Sequence, residues 1–582
     1  MSDETDTRAG EEPLATLPAD DAAVLSPAQI AERKPEPGTV RPQRGDELEL
    51  RIESLAFGGE GVARLGDGGY VVFVAGAIPG DLVRAVVHKR KRSYAHARTI
   101  EVLEPSPERI EPLAHHPGVP WQVLPYERQL EIKREQVGEA LRRIGRLDGF
   151  ELEPIIPAVE QWRYRNKLEY SFGEALGDGD GKAGELVCGF HASAGGNRVE
   201  QMKDCLLASE RGNLAREVVL RWCRAERLEA WDRGRPLAAA AEGEGHEASP
   251  DASRASGASG ELDAGAQAQA PSQAAAAAGG ARRSRRPRNR PRRGGRERDE
   301  RVGPGPDGRA RLRNVVVREG RASGQLQIRL VTTDGELEVG ELAQVLSEWL
   351  GKSLSGVLWT RSKSVAETTA GGETELVWGE AKLPEHLGEL DLQISAEAFF
   401  QTNTEMAAKL YDVVAEFAAL EGWERVYDLY SGIGTIALTL APRAGELWGI
   451  ELIEPAVADA IAGARANGIT KAKFFAGDVR LALRELLERA GRPDVLVVDP
   501  PRAGLSKKVV HRIIEASPKR IVYVSCNPTT LAPNAAELVE AGWTLKRVRP
   551  VDMFPQTHHI ECVALFERDD RRRSAVSPVA GV

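Results

Sequence analysis

Glu424-Arg-Val-Tyr-Asp-Leu-Tyr-Ser-Gly-Ile-Gly-Thr-Ile-Ala-Leu438 reads as a β-strand, a tight Gly432-x-Gly434 turn and the start of a helix. Glycine in such a turn permits positive φ and lets a ligand approach the backbone. Some 20 residues on, Leu447-Trp-Gly-Ile-Glu451 reads as a second strand ending in a carboxylate, which in a βαβ unit faces ribose hydroxyls. Ala472-Lys-Phe-Phe-Ala-Gly-Asp478 is a third strand ending in an acid, and Asp494-Val-Leu-Val-Val-Asp-Pro-Pro-Arg502 a fourth, ending in Asp499. Asp428, Glu451, Asp478 and Asp499 are thus four acids at four strand ends. The alternation of strand and helix from about Glu397 predicts an α/β fold, a Rossmann-like doubly wound sheet over residues 396–568.

The turn lacks the G-x-G-x-x-G of pyrophosphate-binding folds, because position 437 is Ala. Strand-end acids without phosphate-binding features point to a nucleoside cofactor that carries no pyrophosphate. S-adenosylmethionine fits, since carboxylates and π faces stabilise its sulfonium. A fifth strand, in Arg520-Ile-Val-Tyr-Val-Ser-Cys-Asn-Pro-Thr-Thr530, stops at a cysteine, and Asn-Pro prevents a helix from starting at once. Ligands bind outside the carboxyl ends of such strands, so Cys526 is placed to meet a substrate. The competing reading is a buried core cysteine.

The chain has 582 residues, room for about three domains, and 42% hydrophobic residues, enough for real cores. Its five cysteines form no CxxC pair, which suits a reducing compartment and gives no zinc-site spacing. The acidic amino terminus and the absence of a run of roughly 18 apolar residues predict a cytoplasmic protein without membrane association. A net charge of -9 excludes a uniformly basic nucleic-acid binder but not a local basic groove.

Residues 1–42 have the composition of a disordered tail. Alternating segments over 43–104, among them Glu47-Leu-Glu-Leu-Arg-Ile and Tyr70-Val-Val-Phe-Val, predict a small OB-like β-barrel. Its Lys89-Arg-Lys-Arg-Ser-Tyr94 segment, with His96 nearby, combines charge and rings suited to single-stranded RNA. Pro125 to Gly145 reads as a connecting helix. A central α+β domain is expected over 105–395. There Trp162-Arg-Tyr-Arg-Asn-Lys167 supplies phosphate-binding charge beside stacking surface, against the alternative of a strand pair with a charged outer face. A disordered insertion over about 235–310, rich in arginine from Ala281 to Arg296, interrupts that domain, and 569–582 is a flexible tail.

Taken in order, these segments resemble the class I S-adenosylmethionine-dependent RNA uracil-C5 methyltransferases, which make 5-methyluridine in 23S ribosomal RNA and in tRNA. The resemblance rests on a TRAM barrel, Tyr164-Arg-Asn-Lys167, Phe399-Phe-Gln-Thr-Asn403, Asp428-Leu-Tyr-Ser-Gly-Ile-Gly434, Asp499-Pro-Pro-Arg502, Ser525-Cys-Asn-Pro528 and His558-His-Ile-Glu-Cys562. It implies that Gln401, Tyr430, Glu451 and Asp499 contact the cofactor and that Thr435 and Asp478 line its pocket. It further implies that Cys526 is the nucleophile and Glu561 the proton-abstracting base. The chemistry accounts for these types. A soft thiolate adding to uracil C6 makes C5 nucleophilic, and a carboxylate then removes the C5 proton so that the thiolate leaves. Arg502 is expected to help Asp499 hold the base, which must be flipped or unpaired.

Many ribosomal members hold an iron-sulfur cluster on four cysteines. The corresponding Pro112–Gln122 stretch has none, with only Cys205 left to match the fourth, so no iron-sulfur centre and no metal are expected. The TRAM barrel favours 23S rRNA as partner over tRNA by family analogy. An RNA-binding protein that has lost activity and a cytosine-C5 methyltransferase are the other readings, and a monomer is expected.

Overall fold

The computed structural model describes residues 41–66, 69–175, 182–192, 198–231, 303–305, 307–366 and 368–568. Both expected tails, but for Arg41 and Pro42, and most of the insertion lie outside the described residues. The chain divides into two compact units, one reaching to Glu111 and including Val123–Arg146, the other made of Pro112–Gln122 and everything from Leu147 on.

In the first unit, β1 (Glu47–Arg51), β2 (Ser54–Leu55), β3 (Gly61–Leu65), β4 (Tyr70–Ala75), β5 (Leu82–Arg90) and β6 (Tyr94–Glu104) form one sheet in the order β1-β5-β6-β4-β3-β2. The period-two alternation read from the sequence turns Leu50, Val72, Val74, Val83 and Ala85 into one core. Tyr94 joins the interior, its ring 5.7 Å from Phe73, and so is not the stacking surface expected of it. Within the Lys89–Tyr94 segment the exposed residues are Arg90, Lys91 and Arg92. Helix α1 (Tyr126–Glu139) belongs to this unit. Its buried Gln136 donates to Leu55 O at 3.0 Å, so it is packed on the barrel strands rather than spanning a gap.

The second unit opens with β7 (Glu151–Leu152). A seven-stranded sheet follows, made of β8 (Lys167–Glu174), β9 (Leu186–His191), β10 (Val199–Gln201), β11 (Leu312–Gly320), β12 (Gln325–Thr332), β13 (Leu354–Arg361) and β14 (Glu373–Gly379) in the order β10-β9-β8-β11-β12-β13-β14. Helices α2 (Glu210–Ala225) and α3 (Val339–Leu350) cover it. The chain on the two sides of the insertion meets again: Leu312 donates to Glu229 O at 2.9 Å and Trp231 to Leu312 O at 2.7 Å.

A hairpin, β15 (Lys382–Leu387) and β16 (Leu390–Ser395), leads into the last layer. This layer comprises α4 (Thr404–Ala418), β17 (Arg425–Leu429), α5 (Thr435–Leu440), β18 (Glu446–Glu451), α6 (Glu454–Ala466), β19 (Ala472–Ala476), α7 (Val479–Ala490), β20 (Val495–Val498), α8 (Lys507–Ala516), β21 (Arg520–Ser525), α9 (Pro528–Glu540), β22 (Trp543–Val551) and β23 (Glu561–Arg568). Strand order is β19-β18-β17-β20-β21-β23-β22-β7, parallel from β19 to β21. This is the Rossmann-like sheet read from the sequence. Val495-Leu-Val-Val498 is buried throughout, as a strand covered on both faces must be, and each such side chain stabilises the fold by about 1.5–3 kcal/mol. The order reverses between β17 and β20, which opens the ligand crevice at their carboxyl ends, beside Asp428 and Asp499. Among the described residues no helix is long and apolar enough to cross a membrane.

Candidate active site

The turn after β17 is built for close approach. Tyr430 is a non-glycine residue at φ 65°, a conformation that costs about 1–2 kcal/mol and persists only where surroundings impose it. Gly432, at φ 56°, faces open space where a Cβ would stand, whereas at Gly434 a Cβ would meet Phe474 Cζ at 2.9 Å. One glycine keeps a cradle clear and the other lets a helix pack. Glu451 closes the turn by accepting from Gly432 N at 3.0 Å with one oxygen and from Leu452 N and Ile453 N with the other.

Asp428 is fully buried. Its Oδ2 accepts from Ala437 N at 3.1 Å while Oδ1 has no partner among the described residues, and burial followed by neighbouring Asp499 pushes its carboxyl well above the usual range. Burial also pushes Asp499 up, to about 7. Tyr430 is pushed up to about 12 by burial and then by Asp478. Asp478 is the N-cap of α7 and pairs with Arg480, so its charge is already held within its own helix turn. Thr435 donates to Tyr411 OH at 3.0 Å. The cleared turn, the strand-end acids and the half-buried Tyr430 fit a cationic nucleoside such as S-adenosylmethionine.

On the other side of the crevice, β21 ends at Ser525, which pairs in register with Cys562 of antiparallel β23. The next step along each strand is Cys526 on one side and Glu561 on the other. A helix does start at once after Cys526, contrary to the expectation from Asn-Pro, because Asn527 is the N-cap of α9 and Pro528 its first residue. Asn527 Oδ1 accepts from Thr529 N at 3.0 Å, and its Nδ2 donates to Arg502 O at 3.2 Å. Cys526 remains partly accessible while Cys188, Cys205, Cys223 and Cys562 are buried, which decides against the core-cysteine reading. Burial, then Glu561, then Asp499 push its thiol up, and Arg502 pulls it down. Burial and Asp499 likewise raise Glu561, again opposed by Arg502. The Cys526 thiol, the Glu561 and Asp499 carboxylates and the Arg502 cation are therefore brought together.

Gln401 stands on the turn before α4 and is largely buried. Asn166 holds that turn, donating through Nδ2 to Gln401 O and Thr404 Oγ1, both at 2.8 Å. Tyr164 is inaccessible and donates to Pro555 O at 3.1 Å. Lys167 pairs with Glu169 at 2.6 Å. Tyr164-Arg-Asn-Lys167 is thus largely an internal brace for the crevice and not the exposed RNA-binding strip expected from its charges and rings. Interleaved polar and aromatic residues look alike in either role, because the distinction lies in distant partners. Tyr411 was not singled out in the sequence, and a lone tyrosine inside a helix gives no signal that would find it.

In the Pro112–Gln122 stretch, His116 Nε2 lies 3.3 Å from Cys205 Sγ. Burial and then Arg165 pull His116 down to about 4, and burial pushes Cys205 up, so the pair is neutral. One thiol and one imidazole do not fit a four-thiolate cluster, and among the described residues no three His, Cys, Asp or Glu side chains group as metal ligands.

Residues 382–569 match the family described as tRNA (Uracil-5-)-methyltransferase, and residues 41–100 match the TRAM domain. An uncharacterized RNA methyltransferase of Halalkalibacterium halodurans is 31% identical over 531 residues, 90% of this chain and 97% of that protein. One from Chlorobaculum tepidum is 32% identical over 547 residues, 91% of this chain and 98% of its own length. The Pyrococcus abyssi tRNA (uracil-54, C5)-methyltransferase, solved with S-adenosyl-L-homocysteine, superposes with a TM-score of 0.61 at 22% identity, covering 89% of this chain and 99% of that one. That likeness is one of fold.

Proposed function

The chain belongs to the S-adenosylmethionine-dependent RNA uracil-C5 methyltransferases, and from that premise we propose that it methylates C5 of a uridine in 23S ribosomal RNA through a covalent Cys526–C6 adduct. The observation that carries this reading is the strand register that sets Cys526 opposite Glu561, beside Asp499 and Arg502. S-adenosylmethionine supplies, when bound, a methyl group made electrophilic by its sulfonium. Gln401, Tyr430, Glu451 and Asp499 bind it, with Thr435 and Asp478 lining the pocket. Cys526 adds as thiolate to C6, which makes C5 nucleophilic, and the methyl would pass to C5 as its bond to the sulfonium sulfur breaks and S-adenosylhomocysteine is left. Glu561 then accepts the C5 proton, the electron pair restores the C5–C6 double bond, and the thiolate is expelled.

Burial works against the charged forms of both Cys526 and Glu561 in the ligand-free site, so catalysis requires compensation for their charge. Arg502 supplies part of it, and Asn527 keeps the Arg502 backbone in place. The barrel supports rRNA by analogy with TRAM-bearing ribosomal members. The match to the family described as tRNA (Uracil-5-)-methyltransferase favours tRNA as the second reading.

The test is transfer of labelled methyl to total RNA from a strain lacking the gene, followed by size separation and nucleoside mass analysis. Label as 5-methyluridine in 23S RNA is expected. Label confined to tRNA would replace the substrate, and no 5-methyluridine in any RNA would overturn the function.

A further inference from the structure

Glu561 is the first residue of β23 and pairs with Val551, the last of β22, so the connection 552–560 closes on the carboxylate itself. Where that connection sits decides where Glu561 sits. It contains no helix or strand, yet residues 552–557 are all buried, so their carbonyl groups must find donors from other parts of the chain.

Those donors come from three distant segments. Asn403, the N-cap of α4, donates through Nδ2 to Met553 O at 3.0 Å. Trp121 donates through its backbone N–H to Gln556 O at 3.0 Å, and Tyr164 through its hydroxyl to Pro555 O at 3.1 Å. Arg165 adds packing, with its guanidinium carbon 5.7 Å from the centre of the Phe554 ring. Between these tethers Gln556 is buried and held at φ 66°. A non-glycine residue in that region persists only where its surroundings impose it, and such residues cluster at functional sites. Tyr164 is inaccessible, so its ring packs and its hydroxyl tethers. The two roles can be separated, because phenylalanine keeps the ring and loses only the donor.

We propose that Tyr164 is a positioning residue for Glu561: through Pro555 it holds the strained connection in the form that presents the carboxylate to the C5 proton. The proposal rests on the base assignment above and extends it to a side chain sealed away from the substrate. The proton still passes from C5 to Glu561, and Tyr164 exchanges none.

The test compares full-length wild type, Tyr164→Phe, Glu561→Gln and the double variant in methyl transfer to RNA, and follows hydrogen exchange of the ligand-free proteins by mass spectrometry. Tyr164→Phe is expected to lower kcat roughly 10–100-fold, the scale of a misplacement of about 1 Å, while KM for S-adenosylmethionine keeps its wild-type value. Because the step slowed is proton removal, a covalent protein-RNA adduct should accumulate. With Glu561→Gln in place the hydroxyl has no base left to position, so the double variant should turn over as Glu561→Gln does alone. Amides of residues 553–561 should exchange about tenfold faster in Tyr164→Phe, and those of residues 425–438 at the wild-type rate.

Wild-type turnover by Tyr164→Phe would overturn the proposal, as would unchanged exchange over residues 553–561. So would slow turnover without adduct, a KM that rises as kcat falls, or the same further loss in the Glu561→Gln background, each of which marks a general structural role. Exchange is read without turnover. A wild-type protein that makes no 5-methyluridine therefore counts against the function above, while the exchange result still decides whether Tyr164 holds the connection that carries Glu561.

Discussion

Ser525 and Cys562 are register partners across β21 and β23, and that pairing sets Cys526 against Glu561 at the mouth of the crevice. If the two divide the chemistry as proposed, their variants fail differently. Cys526→Ala should lower methyl transfer about a thousandfold or more while leaving cofactor binding intact. Glu561→Gln should slow turnover by roughly 10²–10⁴ and accumulate a protein-RNA adduct that survives denaturing electrophoresis. Free product at the wild-type rate from Glu561→Gln would remove the base assignment.

The raised Cys526 thiol makes a pH prediction in the ligand-free protein. A pKa above the ordinary thiol value of about 8.5 means less thiolate at any given pH, so alkylation is slow at neutrality and keeps rising with pH past that value. Arg502→Gln, which takes away the cation favouring the thiolate, should slow it further. Mass spectrometry of Cys526 labelling checks this, and a rate that levels off below about pH 8 would contradict it.

Asn166 ties the turn carrying Gln401 to the central sheet through two buried bonds. Asn166→Ala leaves buried acceptors without donors and should cost about 2–3 kcal/mol in chemical denaturation. KM for S-adenosylmethionine should rise as well, because the loosened turn carries Gln401.

Two glycines of one turn should respond differently. Gly432→Ala meets open space, so its stability cost is limited to the left-handed backbone, about 1–2 kcal/mol, while the new methyl fills the cradle and weakens cofactor binding. Gly434→Ala at φ 81° must also displace Phe474 and Ala460, so it should destabilise more. Thermal melts beside cofactor titrations separate the two.

How much of this was legible beforehand follows from the range over which each signal acts. Strand alternation, glycine turns, strand-end acids and a cysteine closing an apolar run are local patterns, so the Rossmann-like sheet, the barrel and the crevice residues Asp428, Asp499 and Cys526 could be read from the chain. Tyr94 and Tyr164 were misjudged as surfaces because exposure is set by partners far away in sequence: Phe73 in one case, Pro555 in the other.

By itself the sequence determined which residue types stand at the strand ends, since backbone periodicity and turn chemistry depend on neighbours within a few positions. The tertiary structure alone decided that Cys526 faces Glu561, that Asn166 braces Gln401 and that Tyr164 is sealed. Those relations are made by strand register and by burial between segments tens to hundreds of residues apart, where no local pattern can carry them.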